Sequence, residues 1–551
     1  MPGAQSSQQA RAGYVHYGNG QIMNVPLTPI RFLYRAMDLF ARKVGIVSGT
    51  RAFTYGQFGE RALKLASALA RGGVARGDRV ALLSFNTHQL LESYYGVPLA
   101  GAIVMPLNVR LSIQELVPIL NHSGAKMLLF ENDFIPIVEQ LRTACDGIRR
   151  YITLDGMAGP AAMTYEELLD QGRPDYIDYM DVDENAVAEL FYTSGSTGAP
   201  KGVMLTHRTL YLHGMSVATL MGDPKDLIDL HTIPLFHANG WGRPQSSTML
   251  GSKQVMVRRF EPTGVFRLIE EHRATEMSLV PAMANALLHA PDRGQFDLSS
   301  LRRVMVGGAA ASPELVARLE EAFHCEIMSG YGMTETCPVL TTARAKRSVD
   351  ESDGRERHRR RAMAGWAVPG VEVRVVDANM QTLPRDSKTI GEVVARGDHL
   401  MAGYFNDLAA TAMTIENNWI HTGDMAVWDE EGYIQIVDRK KEIIISGGEN
   451  ISSIEVEKAI CAHPAVYECA VVAAPDEKWG EVPAAAVVLK PGMELTAGEL
   501  TEFLSASLGR FKLPKIIEFH EDHLPKTGTG KIRKLVIKEK FWAGKEKRVQ
   551  G

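Results

Sequence analysis

A chain of 551 residues, 45% hydrophobic and 23% charged, exceeds what one hydrophobic core holds and has the composition of an ordinary globular protein. A formal net charge of −5 gives no basis for a nucleic-acid partner. The five scattered cysteines (Cys145, Cys325, Cys337, Cys461 and Cys469) show no C-x-x-C spacing, which argues against a zinc site or disulfide framework and suits a reducing cytoplasm.

The N-terminus is polar and lacks an apolar leader core, and the most hydrophobic window, Gly96 to Leu107, is too short to span a bilayer and carries Pro98 and Pro106. The final Val549-Gln550-Gly551 is no peroxisomal address. The expectation is a cytoplasmic protein with no integral membrane segment, peripheral membrane contact being left open.

In chain order, Thr54 caps a predicted helix whose Leu63, Ala66 and Leu69 share one face, ended by Gly72-Gly73. A strand at Val80 to Leu83, a helix from about His88 to Leu99 and a strand at Ile103 to Met105 follow. This alternation predicts an α/β fold with a helix-covered parallel sheet. Leu190-Phe191-Tyr192 runs into Thr193-Ser194-Gly195-Ser196-Thr197-Gly198-Ala199-Pro200-Lys201-Gly202. Glycines there admit close backbone approach, hydroxyls donate hydrogen bonds and Lys201 brings positive charge, all suited to a polyphosphate. Pro200 before the lysine and Gly202 after it exclude the common Walker loop. A Ser/Gly linker is the alternative, opposed by the apolar runs on both sides.

Farther on, the strand Val304 to Val306 turns at Gly307-Gly308 into a helix capped by Ser312 with Pro313 first. From Arg344 to Arg361 apolar periodicity stops. The arginines 355, 357, 359, 360 and 361 alternate with Asp350, Glu351, Asp353 and Glu356 and lack aromatics, so this stretch reads as a solvated loop and not a nucleic-acid surface. β-rich sequence such as Val371 to Val376 follows, and no internal repeat is evident.

The loop at 193–201 is followed, in order, by Tyr331-Gly332-Met333-Thr334-Glu335-Thr336, His421-Thr422-Gly423-Asp424, Asp438-Arg439-Lys440-Lys441-Glu442 and Pro525-Lys526-Thr527-Gly528-Thr529-Gly530-Lys531-Ile532. Taken together these motifs resemble the adenylate-forming superfamily, on the acyl-CoA synthetase branch, over about Leu27 to Phe541. Ile445-Ser446-Gly447-Gly448-Glu449-Asn450 is the pattern of fatty-acyl and short-chain acyl ligases, where coumarate ligases often carry Lys at the position of Ile445.

The resemblance implies a large N-terminal AMP-binding domain of parallel and mixed sheets with helices and a β-rich subdomain (1–437). It also implies a hinge (438–441) and a small mobile α+β C-terminal domain (442–551). The implied reaction joins a carboxylic acid to AMP from ATP, releasing pyrophosphate, then passes the acyl group to coenzyme A. ATP, CoA and a small carboxylic acid would be substrates and Mg²⁺ the cofactor, and a homodimer is compatible.

Residue by residue, the resemblance gives phosphate binding to Thr193, Ser194, Gly195, Ser196, Thr197, Gly198 and Lys201. Magnesium falls to Thr193 and Glu335. Tyr331, Gly332, Met333 and Thr334 face Gly308, Ala309 and Ala310 across an adenine slot; Ser329 stands where many relatives carry Gln, which loosens the expected adenine-edge contact. Asp424 would take the ribose hydroxyls, with Arg439 adding a ribose or phosphate contact. Lys531 would meet the charge that develops during adenylation, with Thr193, Glu335 and His237 also in catalytic positions. Gly447, Gly448 and Glu449 would face CoA after the small domain rotates.

Pro234-Leu235-Phe236-His237-Ala238-Asn239-Gly240-Trp241 matches the motif beside the family's acyl pocket, where Gly307 also lies. No carboxylate stands between His237 and Gly240 to pair an amino acid's ammonium. His237 either gates the pocket or packs as an ordinary histidine, and Trp241 either shortens the tunnel or is a core aromatic. The leaning is to short- or medium-chain fatty acids or thioether acids such as methylmercaptopropionate. A stand-alone adenylation enzyme loading a carrier protein is the alternative.

Overall fold

The computed structural model describes residues 24–156, 159–175, 177–193, 200–349, 352–446, 449–476, 478–526 and 532–543. One of its two large sheets has eight strands. At its centre Arg79–Leu83, Ile103–Pro106 and Met127–Phe130 pair in parallel, and their side chains are almost wholly buried. Such continuous apolar runs are what a parallel sheet covered on both faces requires.

One cover is the helix Tyr55–Arg71. Thr54 and Gln57 close its N-terminus as a capping box, and it packs on the fully buried helix His88–Leu99. Toward one edge lie β1 (Val187–Thr193) and β2 (Lys201–Thr206), an antiparallel pair in which Thr193 stands opposite Lys201.

A nine-stranded sheet follows, with parallel pairing running through Val44–Ser48, Lys253–Met256, Ile228–His231, Glu276–Leu279, β3 (Arg303–Val306) and β4 (Glu326–Gly332). The helix α1 (Arg243–Leu250) packs beside it and is anchored by Arg243, which is buried with Asp229 at 2.7 Å and Glu276 at 2.9 Å. Two buried carboxylates around one guanidinium satisfy its fork of donors where an unpaired charge would be prohibitive.

The third sheet is antiparallel and contains β5 (Trp419–Trp428), which pairs with Gly391–Gly397 on one side and β6 (Ile434–Arg439) on the other. The fourth begins at Ile444–Ser446 and is built around β7 (Val466–Asp476) and Gly480–Leu489. The helix α2 (Ser453–Cys461) lies on β7, and Val456, Ile460, Val471, Val487, Leu500 and Leu504 form the core on that side. Mixed α/β sheets, a β-rich unit and a small α+β unit are therefore all present.

The segment Arg344–Arg361, expected to be a solvated loop, holds a helix at Gly354–Ala362 instead. Asp353 caps it, and Glu320 of the preceding helix gathers Arg361 (3.0 Å), His358 (2.9 Å) and Arg357 (3.4 Å). Ion pairs, not an apolar stripe, hold it in place, so the periodicity used to detect helices had nothing to register. No helix among the described residues is long and apolar enough to cross a membrane.

Candidate active site

The first local feature is the hairpin of β1 and β2. Pairing of Thr193 with Lys201 fixes both ends of the Ser/Thr/Gly loop on one sheet edge. Ser194, Gly195, Ser196, Thr197 and Gly198 themselves lie outside the described residues. A hairpin differs from the strand-to-helix geometry of the Walker loop, in agreement with the position of Pro200. The Lys201 ammonium sits 5.0 Å from the centre of the Tyr404 ring.

Tyr404 joins this lysine to Glu335, its hydroxyl donating to the Glu335 carboxylate at 2.8 Å. Glu335 is buried in a short turn, Thr334–Thr336, and its backbone carbonyl accepts from the N–H of Met401 at 2.9 Å. Burial pushes its carboxyl above the usual carboxylate range, opposed by the Tyr404 hydrogen bond and by nearby Arg439 and Lys201. Its burial sets Glu335 apart from an ordinary exposed glutamate at a helix start.

A second cluster forms where β4 meets β5 and β6. The Tyr331 hydroxyl donates to Asp424 at 2.6 Å, and the guanidinium of Arg439 lies 2.7 Å from the other Asp424 oxygen. Asp424 and Arg439 are direct partners in the β5–β6 ladder. Asp424 itself is buried, whereas Arg439 is about half exposed, so the acid is fixed and the cation reaches outward.

Beside Tyr331, the parallel strand β3 ends at Gly307, and Gly308, Ala309 and Ala310 lie exposed just beyond it. Gly332 ends the neighbouring strand β4 and Met333 and Thr334 follow it, so the two walls expected for an adenine slot emerge side by side. Ser329 is buried within β4 opposite Val306, so it belongs to the sheet interior.

The acyl-motif residues form an unusual turn. Ala238, Asn239, Gly240, Trp241 and Gly242 all have positive φ, from 43° to 73°. A left-handed backbone costs a non-glycine residue about 1–2 kcal/mol, so Ala238, Asn239 and Trp241 together need external support. Asn239 supplies part of it by accepting from the Gly242 N–H at 2.6 Å. Its amide also donates to Glu189 of β1 at 3.3 Å, and Gln245 of α1 donates to the other Glu189 oxygen at 3.0 Å.

Glu189 is fully buried, and desolvation pushes its carboxyl up to about 8. The Gln245 Oε1 oxygen is buried with no partner, so turning that amide over would let it accept the Glu189 proton. Trp241, held by this turn, lies over Gly307: a Cβ at Gly307 would meet its indole at 3.0 Å and the Gly330 carbonyl at 2.9 Å. His237, at the turn's entrance, is exposed and thus not a packed core histidine.

Sequence reasoning missed Tyr404 and Glu189. Tyr404 lies on the short strand Gly403–Tyr404, paired with β2, and only folding brings it to Glu335. Glu189 did carry a signal, being an acid in the middle of a strand of buried residues. Lys531, Gly447 and Gly448 lie outside the described residues. Glu449 opens the strand Glu449–Ile451, paired with Ser446. Among the described residues one trio of potential metal ligands meets, Glu131, Asp133 and Asp155, and Arg258 forms ion pairs with the first two; the expected absence of a zinc site concerned cysteine spacing and is separate from it.

Two family models match the chain: AMP-binding enzyme over residues 33–405, and AMP-binding enzyme C-terminal domain over residues 455–531. A long-chain-fatty-acid–CoA ligase from Thermus thermophilus is 38% identical, with 93% of this chain and 95% of that protein covered. A 4-hydroxybutyrate–CoA ligase from Metallosphaera sedula is 36% identical over 95% of this chain and 96% of its own. Among solved structures, o-succinylbenzoate CoA synthetase from Bacillus subtilis, in complex with its acyl-adenylate intermediate, superposes with a TM-score of 0.78. It is 28% identical over 93% of this chain and 98% of that one.

Proposed function

This chain belongs to the AMP-binding enzyme family and is an AMP-forming acid–CoA ligase, and from that premise we propose that its acid is a short- to medium-chain fatty acid or a thioether acid. The observation that carries this choice is the Trp241 indole lying on Gly307, a bulky wall where a long tunnel would need space. The relatives named above act on acids as different as long-chain fatty acids and 4-hydroxybutyrate, so the pocket and not the family must set the preference.

A carboxylate does not react with a thiol directly, because its oxygen is a poor leaving group. In the first half-reaction the acid's oxygen attacks the α-phosphorus of ATP and pyrophosphate leaves. In the second, the thiol of CoA attacks the acyl carbon and AMP leaves. Both steps depend on positioning and charge neutralisation.

We assign the loop from Thr193 to Lys201 to the departing pyrophosphate. Asp424 accepts from the ribose hydroxyls, steadied by Tyr331 and Arg439, and the β3 and β4 ends hold the adenine. Glu335, a buried carboxylate with a hydroxyl partner, fits a hard cation, and with Thr193 it would hold Mg²⁺. When bound, that ion neutralises phosphate charge. Lys531 supplies the cation for adenylation, and rotation about Asp438 to Lys441 then withdraws it and presents Gly447, Gly448 and Glu449 to CoA.

A panel of carboxylic acids in a pyrophosphate-release assay tests the acid. The same acids with CoA or a carrier protein as acceptor test the thiol. Preference for acids of long-chain length, or thioester on the carrier alone, would overturn the proposal.

A further inference from the structure

Of the five cysteines, two meet where α2 lies on the fourth sheet. Cys461 is the last residue of α2 and is exposed; Cys469 lies on β7, buried, with its sulfur 3.4 Å from that of Cys461. We propose that Cys461 and Cys469 are a reversible oxidation site that closes to a disulfide under peroxide or low-molecular-weight disulfides.

Three features of the geometry support this. The helix and strand that carry the thiols are packed together, so the sulfurs are held in contact without any rearrangement of the sheet. A disulfide needs a sulfur separation of about 2.0 Å, and the two sulfurs already stand in contact at 3.4 Å. The two thiols also differ in access, one open to an oxidant and the other shielded behind it. This is the arrangement of an attacking and a resolving cysteine.

The electrostatics agree. Contact with Cys469 holds the Cys461 thiol below its ordinary range, against the burial and the carboxylates of Glu457 and Glu468 that oppose it. The Cys469 thiol is pushed up by the same contact and by burial, and its sulfur reaches the Glu457 carbonyl at 3.5 Å. Cys461 is thus the thiol that ionises first.

With hydrogen peroxide the Cys461 thiolate attacks one oxygen. An S–O bond forms, the O–O bond breaks, and hydroxide leaves and takes a proton to become water. The Cys469 sulfur then loses its proton and attacks the sulfenic sulfur; the S–S bond forms as the S–O bond breaks, releasing a second water. Two thiols give up two electrons and two protons, and one peroxide becomes two waters. A small disulfide oxidant does the same through a mixed disulfide, releasing two thiols. A thiol reductant reverses either route.

The test uses the full chain, treated with graded hydrogen peroxide or oxidised glutathione, then denatured, alkylated and mapped by mass spectrometry. The expected product is a cross-linked pair of peptides carrying Cys461 and Cys469, lighter by two hydrogen atoms and restored by dithiothreitol. Cys145, Cys325 and Cys337 should remain open to alkylation. Cys461→Ser, at an exposed position, and Cys469→Ala should each abolish the cross-link, and circular dichroism of each variant confirms that it folds. Oxidation of Cys461 to sulfinic or sulfonic acid while Cys469 stays alkylatable would overturn the proposal, as would a cross-link to any other cysteine.

Discussion

Glu189 is a buried acid whose titration can be read in stability. Its carboxyl has an ordinary value of 4.5 and stands at about 8 in the folded chain because burial disfavours the ionised form. A raised carboxyl favours the folded state fully only below the unfolded value, and that contribution is lost as pH rises toward the folded one. Within this window the unfolded chain carries one fewer proton, so stability falls by about 1.4 kcal/mol per pH unit.

Between about pH 5 and about pH 7.5 the loss is on the order of 3 kcal/mol. Glu189→Gln removes the titration, while its carbonyl accepts from Asn239 and its amide donates to the orphaned Gln245 oxygen. The Gln variant should therefore match the parent near about pH 5 and exceed it by about 3 kcal/mol near about pH 7.5. Its activity should be unchanged.

Glu189→Ala, by contrast, leaves two buried amides without an acceptor, each costing about 1–3 kcal/mol, and releases the Ala238–Gly242 turn. It should raise KM for the acid more than KM for ATP. Urea unfolding across this pH range, with steady-state kinetics on all three proteins, checks both claims. Parallel pH profiles of the parent and Gln variant, or equal damage from Gln and Ala, would refute the reasoning.

Four further outcomes are expected. Lys531→Ala should nearly abolish acyl-AMP formation yet spare thioester formation from supplied acyl-AMP; single-turnover measurement of each half-reaction decides, and equal loss in both would contradict the assigned role. Arg439→Ala removes the partner at 2.7 Å from Asp424 and should raise KM for ATP in steady-state kinetics, with little change in KM for CoA. Tyr404→Phe deletes one hydrogen bond to the buried Glu335, worth about 1.5–3 kcal/mol to a charged group, so kcat/KM at limiting magnesium should fall about 10- to 100-fold. Trp241→Ala opens the wall over Gly307 and should shift kcat/KM across an acid panel toward longer chains; an unchanged ranking would make the indole a mere packing residue.

The first-third helix and strands were legible because their signals are local. Thr54 caps its helix as expected, with Gln57 completing a capping box that the structure adds, and the buried strands are simple apolar runs. Motif order located Asp424 and Arg439, and the ladder puts them on one rung. Contacts made by chance of folding were not legible: nothing near Tyr404 in the chain points to Glu335, and nothing near Glu189 points to Asn239. The Gly354–Ala362 helix escaped because its stabilisation is charge pairing to Glu320, which lies on another helix. Cys461 and Cys469 looked scattered because their spacing acquires meaning only once a helix end is laid on a strand.

The shared rung of Asp424 and Arg439 has a mechanical side. The backbone N–H of Lys440 also bonds to the Gly423 carbonyl, at 2.8 Å, so the pairing continues past this rung to the point where the proposed rotation starts. A swing that begins there has its fulcrum against the rung that would hold the ribose. In the proposed rotation everything beyond the fulcrum would turn, while Asp424 on β5 would stay still. One adenylate would thereby be shown to two chemistries in succession without being let go between them.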